Sequence, residues 1–390
     1  MSARSGTCLV SISYTRAGTE EVLLDLARSL ARDGERVSAV VPGEPALDGL
    51  ADDLRAAGAR VARAGHFFGG GVSLSRNIRE LRAAFAALRP EVVHVHTPWV
   101  GIGKEAVIAA WLAGVPYRLR TEQNPVPEPL RLRQRLSLKL SDRLVQGISF
   151  VSSGNRESHL RNAGRPRRKC MVVPNAVRPA PEPRGRAAAR AELGLPMDAL
   201  AAVMVGRLER RKGPLDFVHA AAVAAKAAPG LHFAIAGDGE MRVDVAAAIA
   251  AAGLEDRVHL LGHRPNIREL LPAFDIFVQP SHYEGLSVAM LEALAAGLPM
   301  ATTDVDGVAE VAPGGDGALI VPIGDTEALG TAVARLAREG DLRNTLAATT
   351  RRRIATEFTV EATYARYRRF YTLATAKRGP ADAGKREFAR

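Results

Sequence analysis

Residues 275–303 read DIFVQPSHYEGLSVAMLEALAAGLPMATT. The apolar run 276–279, closed by Pro280, suits the end of a buried strand, and 287–296 is a run of strong helix formers closed by Gly297 and Pro299. A strand, a ligand loop and a helix are expected in that order. The first turn of such a helix carries backbone N–H groups without intrahelical partners, here at Gly285, Leu286, Ser287 and Val288, and Gly285 permits close backbone approach. This is the makeup of a site for phosphate or another polar group. Two carboxylates frame it: Glu284 before the helix, and Glu292 within it among Val288, Leu291 and Ala295. A carboxylate on an apolar face needs donors, because it only accepts. Sugar hydroxyls supply them, and so do solvent and neighbouring backbone; the stretch alone leaves both open.

At 390 residues the chain is expected to form two α/β domains. Its formal charge of +11 suits anionic ligands, an acidic membrane surface or nucleic acid, and equally a general enrichment in Arg and Ala. The basic residues form no tail and are not interleaved with aromatics, so no nucleic-acid partner is expected. Cys8 and Cys170 both sit in apolar contexts and read as core thiols of a protein from a reducing compartment. No apolar run reaches membrane-spanning length and the N-terminus lacks the segments of a signal peptide. A cytoplasmic protein is expected, with peripheral membrane contact left open.

Working outward, strands are expected at 8–13, 37–41, 60–64, 91–96, 117–120, 143–149 and 170–173, with helices between them. Gly18 stands where the first strand hands over to a helix, so its N–H can meet an anion, although no G-x-G-x-x-G pattern is present. The three-glycine run 69–71 reads as a loop. In EVVHVH at 91–96, His94 and His96 share a side: His94 reads as a satisfied interior histidine, whereas His96 lies at the carboxyl end, where ligands of open α/β sheets collect. The basic helix 130–140 aligns Leu132, Leu136 and Leu140 and is expected to pack that stripe on the sheet; a membrane surface is the other reading. Composition changes at 174–183, a linker.

The second half repeats the alternation, with strands at 201–205, 231–236, 258–261, 276–279 and 318–321. Arg207 and Lys212 lie just past the first of these, and a guanidinium and an ammonium on one pyrophosphate offset the charge of a departing nucleotide diphosphate. Arg210 and Arg211 read as a solvated basic turn. Asp304 and Asp306 lack supporting ligands at matching spacing, so no metal site is expected. The last helix, 358–374, carries Tyr364, Tyr367, Phe370 and Tyr371 largely on one side, a face that must be covered.

These residues resemble retaining glycosyltransferase family 4. The resemblance rests on VGRLERRKG at 205–213, AGDGE at 236–240, GLEDRVHLLG at 253–262, VPNAV at 173–177, and PSHYEGLSVAMLEALAAGLPMATTDVDGVAEV at 280–311, in which seven residues separate Glu284 from Glu292. It implies the GT-B fold: two doubly wound Rossmann-like domains facing each other across a cleft, at 1–176 and 177–357, with the segment 358–376 crossing back onto the first. It further implies that Arg207 and Lys212 hold the diphosphate, Glu292 the ribose, and Glu284 the transferred sugar. Gly285, Leu286 and Ser287 offer backbone donors, and Gly18 supports phosphate or sugar from the opposite domain. His96 matches the cleft histidine, an orienting group, since retaining members use front-face attack assisted by the leaving phosphate.

The sequence departs from the family pattern in three places. Only Gly18 precedes Thr19 and Glu20 in the first loop, Thr121, Glu122, Gln123 and Asn124 stand where TEHN is common, and a single glycine remains at 306–310. The 121–124 loop is implied to face the acceptor. The implied activity is transfer of a hexose or N-acetylhexosamine from a nucleotide-diphosphate sugar, UDP-linked first and GDP-linked second, without cofactor or metal, to a small polyhydroxylated or aminocyclitol acceptor. Lipid-linked or polysaccharide acceptors are the alternative, and a non-catalytic sugar-nucleotide-binding subunit is a further one.

Overall fold

A computed structural model describes residues 6–67, 73–178 and 184–376. The glycine run 69–71 and the linker positions 179–183 lie outside the described residues. The chain divides into two compact units, one holding the residues up to Asn175 together with those from Val360 on, the other spanning Ala176–Thr359.

The first unit is built on seven parallel strands: β1 (Thr7–Ser11), β2 (Val37–Val41), β3 (Arg60–Arg63), β4 (Val92–Thr97), β5 (Tyr117–Glu122), β6 (Gly147–Phe150) and β7 (Cys170–Val172), in the order β3-β2-β1-β4-β5-β6-β7. β1, β2 and β4 are buried along their whole length, as a sheet covered by helices on both faces requires. Strand order reverses between β1 and β4, so the loops leaving those two strands open at the topological switch point where ligands of such sheets bind.

The last helix, Val360–Thr375, belongs to this unit. Tyr367, Phe370, Tyr371 and Ala374 join Leu9, Leu23, Leu119 and Val173 in one apolar cluster, and each buried aromatic of this kind contributes about 1.5–3 kcal/mol. Gly147 admits the helix: a Cβ there would lie 2.7 Å from the Phe370 ring. Polar contacts fix the approach, with the Tyr364 hydroxyl donating to Asp33 at 2.8 Å and Thr363 to the Pro174 carbonyl at 3.0 Å.

Two expectations fail in this unit. The helix Leu132–Arg143 turns Leu138, Ser141 and Asp142 inward, and leaves Leu132, Leu136 and Leu140 at 72%, 52% and 62% exposure, so the leucine stripe does not pack on the sheet. The inward face is held instead by the ion pair of Asp142 with Arg165 and by Leu138 against Val126 and Ala163. β5 also runs two residues past Arg120. Thr121 and Glu122 continue the ladder against Ser149 and Phe150 on one side and His96 and Thr97 on the other.

The second unit carries β8 (Ala201–Val205), β9 (His232–Ala236), β10 (Val258–Gly262), β11 (Ile276–Gln279), β12 (Met300–Thr303) and β13 (Ala318–Val321), all parallel, in the order β10-β9-β8-β11-β12-β13. Order reverses between β8 and β11. The loops leaving those strands, 206–213 and 280–287, therefore meet at the second switch point.

Candidate functional site

The two loops are held against each other by backbone. Gly213 has φ +66°, and a Cβ on it would stand 2.2 Å from the Pro280 carbonyl, so only glycine fits both the turn and the approach. His282 N–H donates to the Arg211 carbonyl at 2.8 Å. Gly307 lies equally close to the other loop, where a Cβ would meet the Gly285 carbonyl at 2.3 Å. The family pattern's one retained glycine thus has a packing reason.

On this frame the side chains form a chain of ion pairs. The Lys212 ammonium contacts Glu284 Oε1, which also receives Arg211 Nη1 at 3.1 Å. Arg211 Nε lies 2.7 Å from Glu209 Oε1, and Arg207 Nη2 reaches the same oxygen at 3.5 Å. Burial pushes the Glu284 carboxyl up, but Lys212 and Arg211 outweigh it and hold the group below its usual range. Burial lowers Lys212 in spite of Glu284. Three cations face two carboxylates, a surplus of one positive charge. Arg207 is the most open member, at 37%.

Arg211 is a correction. It does not lie in a solvated turn but is largely buried between Glu209 and Glu284. Its burial has no local signal, because Glu209 nearby is one of two partners and the other, Glu284, stands 73 residues away. Arg210 begins the short helical turn Arg210–Lys212 that aims Arg211 and Lys212 at Glu284.

The loop 280–287 ends as expected in a helix, Val288–Ala295, whose first turn is capped by the Ser287 hydroxyl accepting from Met290 N–H at 3.3 Å. Gly285, Leu286 and Ser287 form the approach to that turn. Glu292 lies about one turn along, 18% exposed, with Oε1 3.7 Å from Arg268 Nε.

In the first unit, Gly18 opens the helix Gly18–Arg32 at the end of the β1 loop. Glu20 turns back beneath it, accepting from Ala17 N–H at 3.1 Å and from the Ser11 hydroxyl at 3.3 Å; burial pushes its carboxyl up to about 7 against those bonds. His94 is satisfied, with Nδ1 2.8 Å from the Tyr371 hydroxyl and Nε2 2.7 Å from Thr121 Oγ1. The His96 ring lies 4.3 Å from that of His94, tilted by 45°, and is wholly buried, and neither of its ring nitrogens has a hydrogen-bond partner among the described residues. Burial lowers it to about 3, so its ring is neutral at ordinary pH.

Thr121 and Glu122 are a second correction. Thr121 bonds His94 and Ser149, the latter at 2.6 Å, and Glu122 is wholly buried against Arg120 at 3.1 Å and Arg165, with the Thr97 hydroxyl donating at 2.7 Å. Burial raises Glu122, and the two guanidinium groups outweigh it and hold the carboxyl low. Both residues point into the unit as part of β5, so neither presents a side chain to an acceptor. Gln123 Oε1 accepts from Asn175 at 3.2 Å, and Asn124 donates to the Pro98 carbonyl at 2.7 Å. Among the described residues, no group of three or more His, Cys, Asp or Glu side chains is placed to hold a metal, and no helix is long and apolar enough to cross a membrane.

Residues 17–176 match the family described as glycosyl transferase 4-like domain, and residues 185–353 match glycosyl transferases group 1. The chain is 32% identical over 260 residues to the 2-deoxystreptamine N-acetyl-D-glucosaminyltransferase of Streptomyces fradiae, a match spanning 62% of this chain and 61% of that relative. It is 30% identical over 330 residues to the D-inositol 3-phosphate glycosyltransferase of Thermobispora bispora, spanning 77% of this chain and 75% of that protein. The crystal structure of Anabaena Alr3699/HepE in complex with UDP and glucose has the same fold, with a TM-score of 0.77 at 18% identity over 94% of this chain and 99% of that one. With both units matched and the Thermobispora bispora protein aligned over three quarters of its length, the chain belongs to the group-1, family-4 glycosyltransferases of the GT-B fold.

Proposed function

We propose that this protein transfers a hexose or N-acetylhexosamine, with retention, from a nucleotide-diphosphate sugar to a hydroxyl of a small polyhydroxylated or aminocyclitol acceptor. The observation that carries the donor half is the Lys212–Glu284–Arg211 cluster at the β8/β11 switch point. Arg207 and Lys212 hold the diphosphate, and the surplus positive charge of the cluster offsets the negative charge that grows on the leaving group. Glu284 orients Lys212 in the resting site and accepts hydroxyls of the transferred sugar, with Gly285, Leu286 and Ser287 supplying backbone donors. Glu292 receives the ribose. In the first unit, Gly18 supports phosphate or sugar, and His96 orients rather than deprotonates, since a ring lowered to about 3 is a poor base at neutral pH. No divalent metal is required, because side chains supply the cations.

UDP is the first choice of nucleotide, supported by the Anabaena structure's UDP complex, and GDP the second. The relatives from Streptomyces fradiae and Thermobispora bispora are named for 2-deoxystreptamine and D-inositol 3-phosphate, both cyclitols, which supports a small cyclic polyol as acceptor. The exposed leucines of the helix Leu132–Arg143 favour a second reading, a lipid-linked acceptor reached at a membrane surface. A matrix of UDP- and GDP-sugars against cyclitols and lipid-linked sugars, read by mass spectrometry with EDTA present, tests both. Transfer to a cyclitol is expected. Transfer only to lipid-linked sugars selects the second reading, and absence of both nucleotide binding and transfer overturns the enzyme assignment.

A further inference from the structure

The helix Leu132–Arg143 is amphipathic in the reverse of the usual sense. Successive residues of a helix are rotated by about 100°, so Leu132, Leu136 and Leu140, four apart, form a stripe drifting by only about 40° per step. Leu138, Ser141 and Asp142, the residues turned inward, lie on the opposite side, and the stripe is the outermost line of the helix. Arg133, Arg135, Lys139 and Arg143 are all exposed around it. The helix has one acidic residue, Asp142, which is buried on Arg165, so every charge that the helix shows to solvent is positive. The adjoining helix Lys104–Leu112, joined by Lys104 Nζ to Ser137 Oγ at 3.0 Å, ends on exposed Trp111 and Leu112.

We propose that this helix is a docking surface for an anionic lipid bilayer, with the leucine stripe entering the acyl boundary and the flanking cations meeting lipid phosphates. A line of leucines has no reason to be outermost in water, and three together make a patch rather than a scattered exposure. Charge decides the occupant. A second copy seated on this face would bring Arg133, Arg135, Lys139 and Arg143 against their own equivalents, whereas an anionic headgroup layer neutralises all four. A soluble polyanion would use the cations and leave the leucines idle. The formal charge of +11 on the whole chain draws the protein to the same surface. The proposal requires no particular acceptor, and its test reads binding rather than turnover, so it stands or falls separately from the proposed activity.

The experiment is co-sedimentation of the full chain with vesicles of phosphatidylcholine alone and of phosphatidylcholine with phosphatidylglycerol. Binding to the anionic vesicles is expected and binding to the neutral ones is not. The variant L132S/L136S/L140S should lose at least about tenfold in vesicle partition while keeping its thermal midpoint, because none of the three side chains packs inside the unit. The single variants Leu132→Ser and Leu140→Ser should each show an intermediate loss, which keeps the test decisive should the triple variant misfold. Equal binding by parent and leucine variants, or binding abolished by R133E/K139E but untouched by loss of the leucines, would mean that a soluble polyanion or general charge is what is read, and would overturn the proposal. So would concentration-dependent dimerisation of the parent that the leucine variants abolish, and so would no binding by the parent.

Discussion

Lys212 and Glu284 come from loops that leave two different strands, β8 and β11, and they meet because Gly213 lets the first loop settle against the backbone of Pro280. Glu284 does not rely on Lys212 alone for compensation. Glu284 keeps Arg211 at 3.1 Å when Lys212 is removed, so loss of the ammonium does not strand a buried carboxylate.

This makes Lys212→Ala a clean test of its role at the diphosphate. Folding should survive, nucleoside diphosphate binding should weaken modestly, and kcat should fall by an amount equivalent to roughly 2–4 kcal/mol, as for removal of a group that stabilises charge only in the transition state. Steady-state kinetics and titration of the free nucleotide separate the two effects. Turnover within twofold of the parent would remove Lys212 from the leaving-group role.

Glu292 lies 3.7 Å from Arg268 on the helix that follows the loop, and its role is tested separately from that of Lys212. Glu292→Gln should raise the donor KM by about tenfold with kcat little changed, the signature of a charged hydrogen-bond acceptor lost equally from ground and transition states. A donor KM unchanged in the variant would remove Glu292 from the ribose role.

Glu20 predicts a pH dependence of stability. Its carboxyl is at about 7 in the folded chain, raised by burial from an unfolded value near 4.5. Between those values the folded state keeps a proton that the unfolded state has lost. Stability is therefore greatest below about 4.5 as far as this group is concerned, falls as pH rises through the window, and is level above about 7. Glu20→Gln, which keeps the shape and an acceptor for Ala17 N–H, should abolish that fall and be more stable than the parent at pH 8 by on the order of 3 kcal/mol. Denaturant titrations of both proteins at pH 5 and pH 8 provide the check. Parallel behaviour of the two would show that Glu20 is not held protonated.

What could be read from the sequence and what could not follow one physical division. Runs such as 276–279 and 91–96 announce strands because apolar side chains on both faces have no other use, and the helix start at Ser287 announces itself through its cap. The burial of Arg211 and Glu122 is not legible locally, because each shares a near partner, Glu209 or Arg120, with one far along the chain. Arg165 stands 43 residues beyond Glu122, and Glu284 stands 73 beyond Arg211. The end of β5 is obscured for the same reason: Thr121 and Glu122 look like loop until Arg120 and Arg165 are set around them. In 132–143 the leucine period correctly marks a helix, but a period defines a face without saying what lies against it. The face that packs is Leu138, Ser141 and Asp142.

The last helix offers the largest stability effect. Phe370 is wholly buried against the sheet of the first unit, over a glycine that leaves no room for a Cβ, and Tyr371 holds His94 through its hydroxyl. Phe370→Ala should cost about 3–5 kcal/mol, the loss of a fully buried aromatic plus the cavity it leaves. Tyr371→Phe removes only the hydroxyl and strands one nitrogen of a buried imidazole, so about 1–3 kcal/mol is expected. Both losses should appear in the unfolding of the first unit, since every contact involved lies within it. Gly147→Ala should destabilise as well, through the 2.7 Å approach to the Phe370 ring, and combining it with Phe370→Ala should cost less than the sum, because the second change removes what the first collides with. Thermal and chemical denaturation of the three single variants and the double variant measure all of this. Additive losses in the double variant would mean that the helix does not lie over Gly147 as described.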